Sequence, residues 1–401
     1  MWVAYLGFFL NQGVLASYTL FVLPIEQSLG RNHFLAVSVY SMALAAQAVT
    51  SPVIGRLVTR FSARVLFAAG GAVAGLGLVW AGAAASYPAL LIAYGVAGIG
   101  LNAIGLVVGA PLAGEAFPRQ RGLMVGLLST GTGLAALVVV PLTGLLIHWR
   151  GWRLAFTALG MGLPALMVPV ALKWLPHDPA PSAVRSALTP ERIRLDLSGW
   201  LLVGAFFATA FASFANWVVL APTLAELSVP FGTVALAVSA AGAVSGAGRL
   251  LFGYLADRWR PVTAGLTGYG ISIAGCLALL ALPRHAPHLA VFSAVVLFGV
   301  SFGGRTPVFA TIAARRYGAQ FAKVWGWILL GQGVGGALGP ACAGWVSQWT
   351  GSYQADLAPV AALYVVAAVL LVVVARIDHH PQAAARAAGL EPNDITREWS
   401  E

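Results

Sequence analysis

The sequence predicts an all-α membrane protein, with twelve transmembrane helices in two six-helix bundles related by a pseudo-two-fold axis. Three observations carry this. Of 401 residues, 59% are hydrophobic and 9% are charged, where a soluble domain carries about 25% charged residues. Apolar runs of about 20 residues, long enough to cross a bilayer, recur along the chain. The two halves also repeat one another in the same order, as parallel repeats about an axis along the membrane normal do.

The first run, 3–28, begins in MWVAYLGFFL. That stretch has neither the basic n-region nor the small-residue cleavage site of a signal peptide, so it reads as a span. Runs at 35–57, 65–85, 88–114, 122–147 and 152–175 complete the first six. The longest polar stretch, PHDPAPSAVRSALTPERIRLDLSG at 176–199, then separates the halves. Runs at 199–225, 231–256, 262–283, 288–314, 322–347 and 355–376 follow. Pro141, Pro307 and Pro340 fall inside runs, where neighbouring helices satisfy the backbone groups that proline frees. The expected organisation is a bundle over 1–176, a cytoplasmic linker over 177–197, a second bundle over 198–377 and a cytoplasmic tail over 378–401.

The repeat is visible residue by residue. An offset of 200 pairs Gly126 with Gly326, Gly131 with Gly331, Gly133 with Gly333, Gly144 with Gly344, Trp149 with Trp349 and Gly151 with Gly351. An offset of 198 pairs Pro24 with Pro222, Gly55 with Gly253 and Arg60 with Arg258. With both termini placed in the cytoplasm, seventeen basic residues fall in inner segments and four in outer ones. This bias sets the topology, and the Ala- and Gly-rich usage reads as that of a bacterial inner-membrane protein.

Composition also excludes. The net charge of +10 comes from basic residues scattered singly between spans, with no basic face, so no nucleic acid is expected. Cys276 and Cys342 lie in apolar runs and read as small core residues, not as a disulfide or metal ligands. No HExxH, GxSxG or clustered His/Asp/Cys set is present, so neither an enzyme nor a bound metal or cofactor is expected.

GYLADRWR (253–260) and its first-half counterpart GRLVTRFSAR (55–64) resemble the loop motifs of the major facilitator superfamily, with Thr59 where an aspartate is usual. Within it, SYTLFVLP (17–24), YGVAGIGLNAIGL…FPRQRGLMVGLLSTGTG (94–133) and the arginine in SGAGRLLFGYLAD resemble the monocarboxylate and oxalate/formate carriers. The resemblance covers essentially the whole chain. It implies the major facilitator fold, a central cavity lined by spans 1, 2, 4, 5, 7, 8, 10 and 11, and alternating access by rocking of the bundles. It also implies that Asp257 and Arg258, with Gly253 and Arg60, gate one access state, and that the latch is weaker at Thr59. Span one lacks the lysine of mammalian monocarboxylate carriers, and Ser245 stands where they have an aspartate. Proton symport by their route is therefore not implied, and anion exchange remains open beside it.

Arg249 and Arg305 lie within spans, where an arginine costs roughly 2.5–3.5 kcal/mol on insertion scales. The acidic residues Glu26, Glu115, Glu226, Asp257 and Asp356 all sit near span ends, so no counter-ion is visible at mid-depth. An anionic cargo supplies one, and arginine's planar fork binds carboxylate bidentately. Against this, Arg249 can snorkel, and Arg305 can bond to carbonyls freed by Pro307. The second positive group of the oxalate carriers is a lysine on span eleven; Gln332 lies near that position. Tyr18, Asn102, Asn216 and Gln332 are further candidate substrate ligands, alongside Asn11 and Gln47, all of which can instead bond between helices.

The function expected is secondary active transport of a small organic anion, a mono- or dicarboxylate, by proton symport or anion exchange. Its partners are that anion, the bilayer and, in symport, protons; the carrier is expected to be a monomer. The alternatives are a carrier of an inorganic anion or sugar phosphate, and a drug or metabolite exporter.

Overall fold

The computed structural model describes residues 2–30, 32–58, 60–109, 112, 121–175, 195–317 and 321–387. Thr59, most of the predicted linker and the last residues of the tail lie outside them. The described residues are helical almost throughout and form no strand.

The first pass is a bent rod. α1 (Trp2–Ser17) runs through a 3-10 turn (Tyr18–Phe21) into α2 (Val22–Leu29). Pro24 gives the cause: it offers no N–H to the Leu20 carbonyl, and its ring crowds that carbonyl. α3 (His33–Val58), α4 (Ala63–Ala83) and α5 (Tyr87–Ala103) follow. Ser62 caps α4 by accepting from the Val65 N–H.

α6 spans Arg121–Trp174, 54 residues. At helical rise that is about 80 Å, more than twice a bilayer core, so it must reverse. It does so at Gly151, whose φ of 83° lies in the left-handed region. Residues 5, 13 and 17 of the first pass meet 131, 139 and 143 in order, whereas Gly71, Gly75 and Gly82 of α4 meet 167, 164 and 157 in reverse. The two arms of α6 therefore run in opposite directions.

The second half holds α7 (Leu197–Glu226), α8 (Phe231–Arg258), α9 (Pro261–Ala281), α10 (His288–Tyr317), α11 (Phe321–Thr350) and α12 (Leu357–Ala387). Gly351, the counterpart of Gly151, likewise takes a positive φ, 72°. Trp149 and Trp349, each two residues earlier, are exposed, as aromatic side chains at a membrane interface are. α12 continues eleven residues past the predicted span end into the expected tail, through the Ala-rich stretch AAARA, which favours helix.

Among the described residues, ten helices are long and apolar enough to cross a membrane. α6 counts among them once and crosses twice. The remaining pass is α11, whose hydropathy is diluted by Gln332, Pro340 and its glycines. Twelve passes leave both chain ends on one side of the molecule, the termini side; the other is the far side.

The repeat is legible in the packing. In the first half the first pass packs on the fifth, the second on the fourth, and the third on the fourth and sixth. In the second half α7 packs on α11, α8 on α10, and α9 on α10 and α12, the same scheme. A Cβ on Gly98 would lie 2.6 Å from the Ala43 carbonyl oxygen, and one on Gly299 would lie 2.5 Å from that of Ala241. Each half thus uses the same glycine contact to bring equivalent backbones together. The halves meet along two seams, α6 with α8 and α3 with α11.

Candidate functional site

The α6–α8 seam is built from two small-residue stripes. Gly242, Gly246 and Arg249 recur at helical spacing on one face of α8, as Ser129, Gly133 and Ala136 do on α6. A Cβ on Gly133 would lie 3.2 Å from the Gly246 Cα, and one on Gly242 would overlap the Ala136 methyl. At the termini-side end of this stripe Arg249 crosses the seam. Its Nη1 donates to the Ser129 carbonyl of the opposite half. The Arg249 side chain makes no ion pair among the described residues.

The α3–α11 seam pairs Gly333 with Ala48, and Gly344 with Phe34 and Val37. Gln332 is half-buried beside it and makes no hydrogen bond to a described residue. Towards the far side the halves are clasped by polar groups. Thr19 Oγ1 donates to the Val218 carbonyl at 2.9 Å and accepts from the Ala221 N–H at 3.0 Å. Tyr353, between α11 and α12, donates its hydroxyl to Glu26 Oε1, and His33 Nδ1 lies 3.1 Å from the same oxygen. Glu226 receives the Tyr353 and Gln354 N–H groups at 2.7 and 3.0 Å, fixing the turn that carries Tyr353.

The other candidates fall within one half or the other. Tyr18 is fully buried and donates to the Ala36 carbonyl at 2.5 Å, binding the first pass to α3. Asn102 clips α5 to α3: its Nδ2 donates to the Gln47 carbonyl at 2.8 Å and to the Thr50 and Ser51 hydroxyls at 3.1 and 3.0 Å. Asn11 is likewise engaged within the first half, with the Leu101 carbonyl. Asn216 is buried against Cys276 of α9. Arg305, expected to line the central cavity, instead points into the second half, where it donates to Ser272 of α9 and stacks on Tyr364 of α12. The physical reason is packing: Phe298, Phe302 and Arg305 share one face of α10, and that face lies against Trp217 of α7 and Tyr364 of α12 inside the half.

The termini side differs from the expected Asp257–Arg258 gate. Both residues are exposed, and Asp257 makes no ion pair among the described residues; Arg258 lies over its own Tyr254 at 5.0 Å. Gly253 makes only ordinary contact with Pro307, and Arg60 is exposed. This helix end is held by Arg315 of α10, which donates to the Ala256 and Asp257 carbonyls at 3.1 and 3.2 Å. These are orphan acceptors at the negative end of α8. Nearby, Asp196 caps α7 through the Gly199 N–H and receives Arg316 at 2.8 Å and Tyr317 at 2.6 Å. Burial alone would raise its pKa, but the hydrogen bonds from Tyr317 and Arg316 outweigh burial and hold it below the ordinary carboxylate value.

A family model described as Major Facilitator Superfamily matches the chain twice, over residues 1–203 and 202–401. The chain belongs to the major facilitator superfamily. It is a multi-pass membrane transporter and not an enzyme. Among its relatives, human monocarboxylate transporter 11 is 30% identical, covering 86% of this chain and 76% of that protein. The oxalate:formate antiporter of Oxalobacter formigenes is 26% identical, covering 83% and 82%. A solved superfamily structure, a bacterial homologue of the human lysosomal transporter Spinster in an inward-facing, occupied conformation, shares the fold with a TM-score of 0.76 at 18% identity, covering 93% of this chain and 96% of that one.

Sequence reasoning missed Arg315, Thr19 and the Glu26–Tyr353 clasp. Arg315 and Thr19 bind backbone carbonyls, which no count of opposite charges reveals. Pro222 was the available signal for Thr19, since a proline leaves the carbonyl four residues earlier unbonded, and that carbonyl is Val218.

Proposed function

We propose that this superfamily member is a secondary carrier for a small organic anion, a mono- or dicarboxylate, with Arg249 as the carboxylate anchor. The observation that supports this most is the position of Arg249. It stands on a seam between the halves and reaches across it to a neutral backbone carbonyl. In alternating access the seams open and close in turn. When α6 and α8 part, Arg249 loses Ser129 and presents its planar fork to the cavity. A carboxylate then offers two charge-assisted hydrogen bonds in place of one neutral one. When the cargo has left and the seam closes, the Ser129 carbonyl takes the guanidinium back. Gln332, on the opposite seam, is the polar group placed to meet the other end of the cargo.

The carrier works in this reading as a monomer in a bacterial inner membrane, both termini cytoplasmic, by proton symport or anion exchange. The names of its relatives support a carboxylate. An inorganic anion or sugar phosphate also suits an arginine, and an exporter of neutral drugs does not need one.

The test is uptake and counterflow of labelled lactate, pyruvate, formate and oxalate in proteoliposomes, with and without a pH gradient. Arg249→Gln is expected to abolish transport of the acid that moves, and Arg249→Lys to weaken it, because lysine keeps the charge but not the fork. Normal transport by Arg249→Gln would refute the anchor. Inhibition by nitrate or phosphate but not by monocarboxylates would move the cargo to the inorganic class.

A further inference from the structure

Inside the second half, α7, α9, α10 and α12 enclose a polar cluster that belongs to neither seam. Its charged member is Arg305, 8% exposed. Nη2 donates to Ser272 Oγ at 2.8 Å, and Ser272 in turn meets Ser301 Oγ at 2.7 Å. The rings of Tyr364 and Phe302 lie 4.6 and 5.7 Å from the guanidinium carbon. Aromatic rings satisfy the face of an arginine, whereas its N–H groups point outward in its own plane. Two of those in-plane donors, at Nε and Nη1, meet no acceptor. Tyr364 is wholly buried against this arginine. No carboxylate lies within ion-pair reach of Arg305 among the described residues. Beside the arginine is a cavity of about 10 Å³, lined also by Tyr269, Ser301, Gly265 and Gly268.

We propose that this cluster binds one resident monatomic anion of the chloride class, held by Arg305 and not transported. A buried cation with idle donors needs an acceptor, and buried polar groups in native proteins nearly always have one. Water would satisfy the donors but leave the charge; a halide does both. The cavity is compact, with about 10 Å³ of open space, room for one monatomic ion. The ion ties α9 to α10, which stiffens the second half while the seams open. This site is distinct from the proposed transport anchor: Arg249 lies on the face of α8 towards α6, and Arg305 on the face of α10 towards α9 and α12.

The test uses the full-length protein in detergent, exchanged into sodium gluconate and titrated with sodium chloride at constant ionic strength, with thermal unfolding as the readout. The wild type is expected to gain several degrees with saturation, as a ligand bound only by the native state requires. Arg305→Gln is expected to lose the gain. Arg249→Gln is expected to keep the gain; if it loses it, the ion sits on the seam and the proposal fails. Equal unfolding temperatures in chloride and gluconate, or a full gain in Arg305→Gln, overturn it as well. Should Arg305→Gln not fold, crystals grown in bromide decide: an anomalous peak beside Arg305 is expected, and its absence refutes the site.

Discussion

Thr19 of one half fills the hydrogen bond that Pro222 takes from Val218 of the other, donating to the Val218 carbonyl at 2.9 Å. The proline creates the vacancy and the hydroxyl closes it, so a helix irregularity in the second half becomes an attachment point for the first. Replacing Thr19 by the isosteric valine leaves the Val218 carbonyl and the Ala221 N–H unsatisfied when the halves are together. That costs about 1–3 kcal/mol per buried group, and only in the closed arrangement. Thr19→Val is therefore expected to favour separation at the far side. Spin labels at the far-side ends of α2 and α11 should report longer distances than in wild type; an unchanged distribution would remove Thr19 from the clasp.

Tyr353 adds to the same closure through Glu26. Its loss removes a hydrogen bond to a charged acceptor, a class worth about 1.5–3 kcal/mol. Tyr353→Phe keeps the ring against His33, whose centroid lies 4.8 Å away, and deletes only the hydroxyl. Faster labelling of a cysteine placed at Gln27 is expected in Tyr353→Phe. Equal labelling rates would show that the ring alone holds the contact.

The α6–α8 seam tolerates no side chain at Gly242. Gly242→Ala is expected to keep the seam from closing, at a cost of about 1–3 kcal/mol for overpacking, and to slow transport sharply. Gly162→Ala is the control, since a Cβ there meets nothing within 4 Å. Comparable transport by the two variants would mean that the seam does not need to close this tightly.

Asp196 makes stability depend on pH in a definite direction. Its folded-state pKa is below the unfolded value, so its stabilisation is present above about pH 3.9 and is lost as pH falls through the folded value. Asp196→Asn should melt lower than wild type near neutrality and converge with it in acid. Parallel melting curves over about pH 3–6 would contradict this linkage.

The parts of the fold readable from sequence were those that repeat. Gly151 and Gly351 stood at matching positions, and both take a positive φ; the spans, their order and their pairing follow from the same repeat. Span eleven was readable as a run but not as a strongly apolar one, because its glycines serve close packing. Arg249 was readable as a buried charge, and the glycines at 242 and 246 hinted that its face meets another helix. The direction of Arg305 was not readable. α10 is apolar on most sides, so no polar stripe marks which face turns to the cavity, and the face shared by Phe298, Phe302 and Arg305 packs inside the half. Asn102 and Tyr18 appeared as mid-span polar groups, and only tertiary structure shows that backbone carbonyls engage them. The resemblance of the loop after α8 to a known gate drew attention to Asp257 and Arg258, while the adjoining helix end is held by Arg315.

The one-residue reversal at Gly151 has a consequence for biosynthesis. With no loop between its arms, α6 cannot leave the fifth pass seated in the bilayer while the sixth is still being made. The two must enter together as a hairpin, with Trp149 riding at its tip. The first half of this carrier is therefore assembled by the cell in fewer steps than it has passes.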